Sequence, residues 1–255
     1  MTTSIFLQLH FIMTAGVVAN IKLMKGLLIF SFVLAFFGGH CQEIEHSKWT
    51  KILQEYVSAD GTVNYKALSK NRASLEAYLE ELGLHSPTKN SSKEEAKAYW
   101  INAYNAYTIQ LILNNYPLKT IKDIEKPWKQ AFIKIGASSI SLYTIEHEIL
   151  RPMGDPRIHF AIVCASKSCP KLLNRAYESK TLEQQLNEAA ISFINDPSKN
   201  RLAPSTLKIS KIFKWFKSDF PKKEALIRYL STFAYDKISG DASIEYLNYN
   251  WELND

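Results

Sequence analysis

The sequence predicts an α+β fold, a single domain in which several helices pack on a small mixed or antiparallel sheet. Three observations lead there. Helix-spaced apolar residues fill the stretch from Glu43 to Asn115. Short extended segments follow in the middle of the chain and return near its end. No internal repeat and no linker divides the 255 residues, a length that suits one large domain or two small ones.

The elements follow in order. Glu43–Val57 reads as a helix, with Trp49, Ile52, Leu53 and Tyr56 at helical spacing. Asp60-Gly61 is a turn signal and Thr62–Tyr65 a short strand. Ala67–Leu82 is a second helix with Gly83 as its C-cap, and His85–Ser92 is a polar loop. Glu94–Asn115 is the longest helix, stopped by Pro117. Phe132–Ile135 and Ile140–Tyr143 flank a Gly-Ala-Ser-Ser turn and read as a hairpin, followed by a short helix over Thr144–Leu150. Arg157–Ala165 (RIHFAIVCA) is nearly continuous in apolar character and reads as a strand buried on both faces. After a loop over Ser166–Arg175 come a helix (Leu182–Ile194), a strand (Thr206–Phe213), a helix (Lys222–Ala234) and a final strand (Ile244–Trp251).

Composition narrows the class. Hydrophobic residues make up 46% and charged residues 22%, which excludes collagen-like, low-complexity and wholly disordered chains. The net charge of +6 is dispersed, with short knots at Lys208–Lys217 and Pro221–Lys223. No helix-turn-helix, zinc finger or RNP motif accompanies them, so no nucleic-acid partner is expected. Near the N-terminus, Met24–Cys41 has the pattern of an export signal. Lys25 is the basic start, Leu27–Phe37 is an eleven-residue run apolar except for Ser31, and Gly38-Gly39 is the small-residue end. Eleven residues are short for a membrane span, which needs about 20. Residues 1–23 read as an extension before a true start at Met24, and 24–41 as the signal peptide. The expected location is periplasmic or secreted, with no membrane span in the mature chain. Lipid attachment at Cys41 is a poorer match, because Gly38-Gly39-His40 precedes it. The mature part divides into 42–93, a helical N-terminal portion, and 94–255.

Six segments carry a family pattern: Tyr99–Tyr107 (YWINAYNAY), Thr144–Arg151 (TIEHEILR), Asp155–Leu172 (DPRIHFAIVCASKSCPKL), Phe193–Pro197 (FINDP), Ser210–Phe220 (SKIFKWFKSDF) and Tyr249–Leu253 (YNWEL). In this order they resemble the bacterial domain of unknown function 547, over roughly Glu94 to the C-terminus. The resemblance implies a domain that often follows an export signal. It implies no activity and carries over no catalytic residue.

The residues themselves offer candidate chemistry. Asn102 and Asn105 share one face of the long helix, where they either tie down neighbouring loops or orient a catalytic group or ligand. Glu146, His147 and Arg151 fall on one short helix, either as an acid–base set or as an ordinary exposed face. His159 and Cys164, five apart in a regular strand, face opposite sides and cannot pair directly. Cys169 lies in a loop able to fold back, so that His159 or His147 serves it as base and Asn102 or Glu146 orients the imidazole. In an exported protein, Cys164 and Cys169 can instead form a disulfide across the CASKSC loop. A zinc site on His159 and both cysteines lacks a second cysteine pair, and no nucleophile elbow, P-loop or H-E-x-x-H is present. No cofactor or metal is expected.

Two functions follow. One is a thiol-dependent hydrolase or transferase acting on a peptide or amide bond, with catalytic Cys169, His159, His147, Glu146 and Asn102, and binding residues Asn105, Arg151 and Cys164. A papain-like architecture would suit it by analogy, although there the Cys precedes the His and here the order is reversed. The other is a non-catalytic cell-envelope module that binds a peptide or polymer, with Cys164–Cys169 as a structural bridge. The aromatic-basic segment of Trp215, Phe216 and Phe220 with Lys211, Lys214 and Lys217 reads as packing with snorkelling lysines, or as a contact for an anionic envelope polymer.

Overall fold

The computed structural model describes residues 44–222 and 224–255. The expected export signal, the start at Met24 and Cys41 lie outside the described residues. Helix α1 (Ser47–Tyr56) buries the four residues whose spacing predicts it, Trp49, Ile52, Leu53 and Tyr56. The segment expected as a strand at Thr62–Tyr65 is instead a single bridge, Val63 to Val57. It runs into the one-turn helix α2 (Tyr65–Leu68), because the Asn64 side chain caps it by accepting from the Ala67 amide at 2.9 Å.

Helix α3 begins at Ala73, later than expected, and continues through Gly83 to Leu84. Gly83 is no cap. It lets the hairpin approach, because its carbonyl accepts from the Gly136 amide at 2.8 Å, and a Cβ there would sit 2.9 Å from the Lys134 carbonyl oxygen. Helix α4 (Lys93–Asn115) starts at a capping box in which the Ser92 hydroxyl accepts from Glu95 N and the Glu95 carboxylate accepts from Ser92 N. It is the central pillar, buried over most of its circumference.

The hairpin β1 (Ile133–Ile135) and β2 (Ser138–Ile140) pairs antiparallel through Gly136, which sits at φ +55°. A π-helix (Thr144–Leu150) follows, then a 3-10 turn (Arg151–Met153) ended by left-handed Gly154. Helix α5 (Leu182–Ile194) leads to a second, mixed sheet. In it β3 (Arg201–Leu202) pairs antiparallel with β4 (Thr206–Ile209), and β4 pairs in parallel with β5 (Ser243–Tyr246). The strand expected over Thr206–Phe213 stops at Ile209, because Ile212–Trp215 turns into helix α6. Helix α7 (Glu224–Ser231) is amphipathic and buries Leu226, Ile227 and Leu230. Small sheets among helices are the expected α+β arrangement.

The largest correction concerns Arg157–Ala165. It is no strand. Asp155 and Pro156 open a 3-10 turn (Pro156–Phe160), with the Asp155 side chain accepting from Arg157 N. The burial inferred from its apolar run is real, since Ile158, Phe160, Ala161, Ile162 and Val163 are all buried. Its backbone is satisfied by its own turns, with Ala161 N and Ile162 N donating to the Ile158 carbonyl at 2.9 and 3.0 Å, and by a side chain rather than by a neighbouring strand. Asn105 donates from Nδ2 to the Ala161 carbonyl and accepts at Oδ1 from Val163 N, both at 2.9 Å. Asn102, one turn earlier, does the same for one residue, donating to the Tyr177 carbonyl at 2.8 Å and accepting from Tyr177 N at 2.9 Å.

Two apolar clusters result. The larger surrounds α4 and takes in α1 to α3 and the hairpin. The smaller is a phenylalanine nucleus of Phe160, Phe193, Phe213 and Phe220 between α5, α6 and α7.

Candidate functional site

A cleft of about 520 Å³ draws its lining from both clusters, a size ordinary for a small-ligand site. Tyr104 reaches it from α4, Glu146 and His147 from the π-helix, and His159, Ile162 and Val163 from the segment held by Asn105. Cys164 and Cys169 contribute the loop, Trp215 and Phe216 come from α6 and its end, and Tyr249 and Trp251 from the C-terminal segment. A π-helix is rare and concentrates at functional sites. Here it places two titratable side chains at adjacent positions on one cleft wall. The two non-glycine residues with left-handed backbone among the described residues also border the cleft. Lys126 (φ 46°) lines it and Ala165 (φ 54°) follows Cys164.

Glu146 is the buried acid, and its carboxylate lies 3.2 Å from the Tyr104 hydroxyl. Burial drives its pKa up from 4.5 to about 7, against the Tyr104 hydrogen bond and the Arg151 charge, with Asp219 adding to the rise. Near neutral pH this carboxyl therefore both gives and takes a proton. Burial also raises Tyr104 well above its usual value, so it stays a neutral donor.

Both histidines are neutral. Burial lowers His159 to about 4, despite the hydrogen bond from its Nε2 to Asp219 Oδ2 at 2.8 Å. An ionised acceptor fixes the proton on Nε2 and leaves Nδ1 as a lone pair, for which the described residues offer no partner. Its ring stacks on Phe216 at 4.0 Å. Burial and the nearby Arg151 charge lower His147, whose Nδ1 accepts from Arg151 Nη1 at 2.6 Å. Arg151 binds Asp219 bidentately, Nε to Oδ2 at 2.6 Å and Nη2 to Oδ1 at 2.7 Å, and its hydrogen bonds hold the Asp219 carboxyl far below the usual range. Arg151 and Asp219 thus sit behind the cleft and orient both imidazoles.

Cys164 and Cys169 are joined in a disulfide that forms part of the cleft wall. Ser166 Oγ donates to the Tyr249 hydroxyl at 3.2 Å, and that hydroxyl donates to Cys169 Sγ at 3.3 Å. The Cys164 amide also donates to Cys169 Sγ at 2.9 Å. Neither histidine is a hydrogen-bond partner of either sulfur among the described residues. The loop is laced to the C-terminal segment by Lys167 N to the Glu252 carbonyl at 2.8 Å and Asn250 N to Ser168 Oγ at 2.8 Å. The same segment supplies Tyr249 and Trp251, so one unit builds the disulfide and the aromatic wall.

Of the residues singled out from the sequence, Glu146, His147, His159, Cys164 and Cys169 share this cleft. Arg151 supports it from behind. Asn102 and Asn105 do not line it. They hold backbone, the first of the two roles their positions allow. The argument that His159 and Cys164 lie on opposite faces of a strand falls with the strand itself, and both line one cleft. Asp219 and Tyr249 were not singled out. Asp219 lies inside the SKIFKWFKSDF motif and Tyr249 opens the YNWEL motif, so the motifs contained the signal without saying which residue carried it.

Among the described residues no cluster of His, Cys, Asp and Glu is arranged to hold a metal, and no helix is long and apolar enough to cross a membrane. No curated protein and no solved structure matches the chain. The span that matches a family model runs from before α4 to the end of α5. It includes the π-helix, His159 and both cysteines, but not Asp219 or Tyr249. Over residues 88–194 the chain matches the family described as "Protein of unknown function, DUF547", the family its motifs resemble.

Proposed function

We propose that this protein is an exported cell-envelope binding module whose cleft takes a segment of an envelope peptide or polymer, with the Cys164–Cys169 pair as a structural bridge. One observation carries the reading. The two sulfurs are bonded to each other in the wall of an aromatic cleft, beside a tyrosine hydroxyl rather than a histidine. A bridge there fixes the loop that supports Tyr249 and Trp251. The location rests on the export pattern of residues 24–41.

The thiol-dependent hydrolase or transferase is a second reading, favoured by a different observation. Cys169, His159, His147 and Glu146 all line one cleft, so a reduced Cys169 would lie among acid–base groups. The experiment that separates the two is the intact mass of the secreted protein with and without iodoacetamide, before and after reduction. The binding module predicts no alkylation until reduction and two additions after it. Rapid alkylation of one thiol near neutral pH without reductant, with peptide hydrolysis lost in Cys169→Ala, would replace it with the enzyme.

A further inference from the structure

We propose that the ligand of the cleft is an acidic glycan segment, with a sugar ring lying on the exposed aromatic faces and its carboxylate directed to Lys126 and Lys129. The proposal rests on the binding-module reading and names the chemistry that the cleft selects.

The aromatic wall comes first. Trp215 and Trp251 stack at 5.6 Å between centroids, and Tyr249 packs against both at 4.8 and 4.6 Å. Trp128 meets the edge of this group at 6.0 Å from Trp251. Despite this packing, Trp215 remains 45% exposed, whereas Tyr143, 38% exposed, stacks on the His147 ring at 4.2 Å and carries the Lys129 ammonium over its ring at 5.7 Å. Large aromatics left open in this way lose hydration cheaply when a flat apolar surface covers them. A pyranose ring offers that surface, with C–H bonds on its faces and hydroxyls around its edge. The electron-rich ring faces suit those polarised C–H bonds.

The polar groups set among the aromatics separate a sugar from an alkyl chain. Tyr104 and Tyr249 hydroxyls, the Glu146 carboxyl and the partnerless His159 Nδ1 all belong to residues lining the cleft. Tyr104, Glu146 and His159 are buried and both tyrosine hydroxyls already donate within the protein, so the cleft offers a ligand the remaining lone pairs of these groups, which an alkyl chain would leave unpaired. Sugar hydroxyls give and accept, so they match a mixed set of donors and acceptors.

Charge selects the acid. The cleft is lined by two lysines, Lys126 and Lys129, two neutral histidines and one acid, Glu146. The acid facing Lys126 is Glu125, at 3.4 Å in a pair whose members are 74% and 85% exposed, so the pairing is weak and easily exchanged. Lys126 holds a left-handed backbone directly before Pro127, a conformation that glycine adopts at lower cost.

Tryptophan fluorescence tests this, because three tryptophans line the cleft. The probes are tetragalacturonic acid and its methyl ester, which keeps the rings and removes the charge. The acid is expected to shift the emission saturably, and the ester to bind at least about fivefold more weakly. Lys126→Gln with Lys129→Gln should lower affinity for the acid to that of the ester and leave the ester unchanged. Trp215→Ala, with its fold checked by circular dichroism, should weaken both about tenfold or more. Equal binding of acid and ester would overturn the charge selection. Binding of a cell-wall tetrapeptide by a protein that binds neither sugar would overturn the glycan while sparing the binding module. Failure of both sugars to bind would overturn the glycan whatever the peptide does, and a Cys169 that alkylates without reductant would remove the module as well.

Discussion

Replacing Glu146 by Gln tests whether the floor of the cleft is a buried acid in protonation balance. The side chain keeps its shape and its hydrogen bond to Tyr104, and loses only the ability to ionise. Burial sets the native pKa at about 7, against 4.5 for the unfolded chain. Below pH 4.5 the group is protonated in both states and has no cost. Between 4.5 and about 7 the unfolded chain releases the proton while the native state keeps it, so native stability falls as pH rises. Above about 7 both states are ionised and the penalty is constant. At about 1.4 kcal/mol per pH unit, the full interval makes the ionised carboxylate cost about 3 kcal/mol. Glu146→Gln should therefore gain on the wild type by about that amount between pH 4.5 and 7, then run parallel to it. Urea unfolding of both proteins at half-unit pH steps measures the difference directly. Curves that stay parallel across the whole range would refute the buried-acid assignment, whatever the absolute stability of the variant.

Three further outcomes follow from the geometry. Asn105→Ala leaves the Ala161 carbonyl and the Val163 amide unpaired in the core, so it should destabilise by about 2–4 kcal/mol in urea unfolding; a loss under about 1 kcal/mol would mean that another group takes over. Asp219→Asn should cost about 2–3 kcal/mol at pH 7 through the lost Arg151 and His159 contacts. Because the native carboxyl is depressed, that difference should fade as pH drops below 3.8, and a deficit independent of pH would count against the ion pair. Cys164→Ser with Cys169→Ser should lower stability by about 2 kcal/mol, the chain-entropy value for so short a loop. Calorimetry showing an unchanged Tm would deny the bridge a structural role.

How far the sequence could be read depended on what kind of partner each segment has. Helices declared themselves where one face meets the core, as at α1, or where a proline marks the end, as at α4, whose capping box at Ser92 went unread. The hairpin was legible from its turn, although Ser138 and Ser139, read as part of that turn, pair in β2, which ends at Ile140 where the second strand was expected to begin. Arg157–Ala165 was misread because a continuous apolar run reports burial, not backbone geometry. Its hydrogen-bond partners come from a side chain more than fifty residues earlier, and no local pattern encodes that. Gly83 was misread for a similar reason, since the demand for a small residue comes from the Lys134 carbonyl on a distant hairpin. The site was half legible. His159, His147, Glu146 and both cysteines could be picked out by chemistry alone. Asp219 and Tyr249 could not, because an acid or a tyrosine is unremarked until folding sets it against an imidazole or a disulfide.

The amide clamp on α4 has a consequence for how such a cleft can change. In a strand or helix, side-chain substitutions feed back on the backbone through propensity and packing register. At 161–163 the main chain is held by its own turn bonds to the Ile158 carbonyl and by Asn105, so its path depends less on the side chains it carries than a strand's would. Ile162 and Val163 both line the cleft. Both are buried, so the exchanges open to them are among apolar side chains of similar volume, and this short irregular segment is the first place to vary when the cleft is to be re-engineered for another ligand.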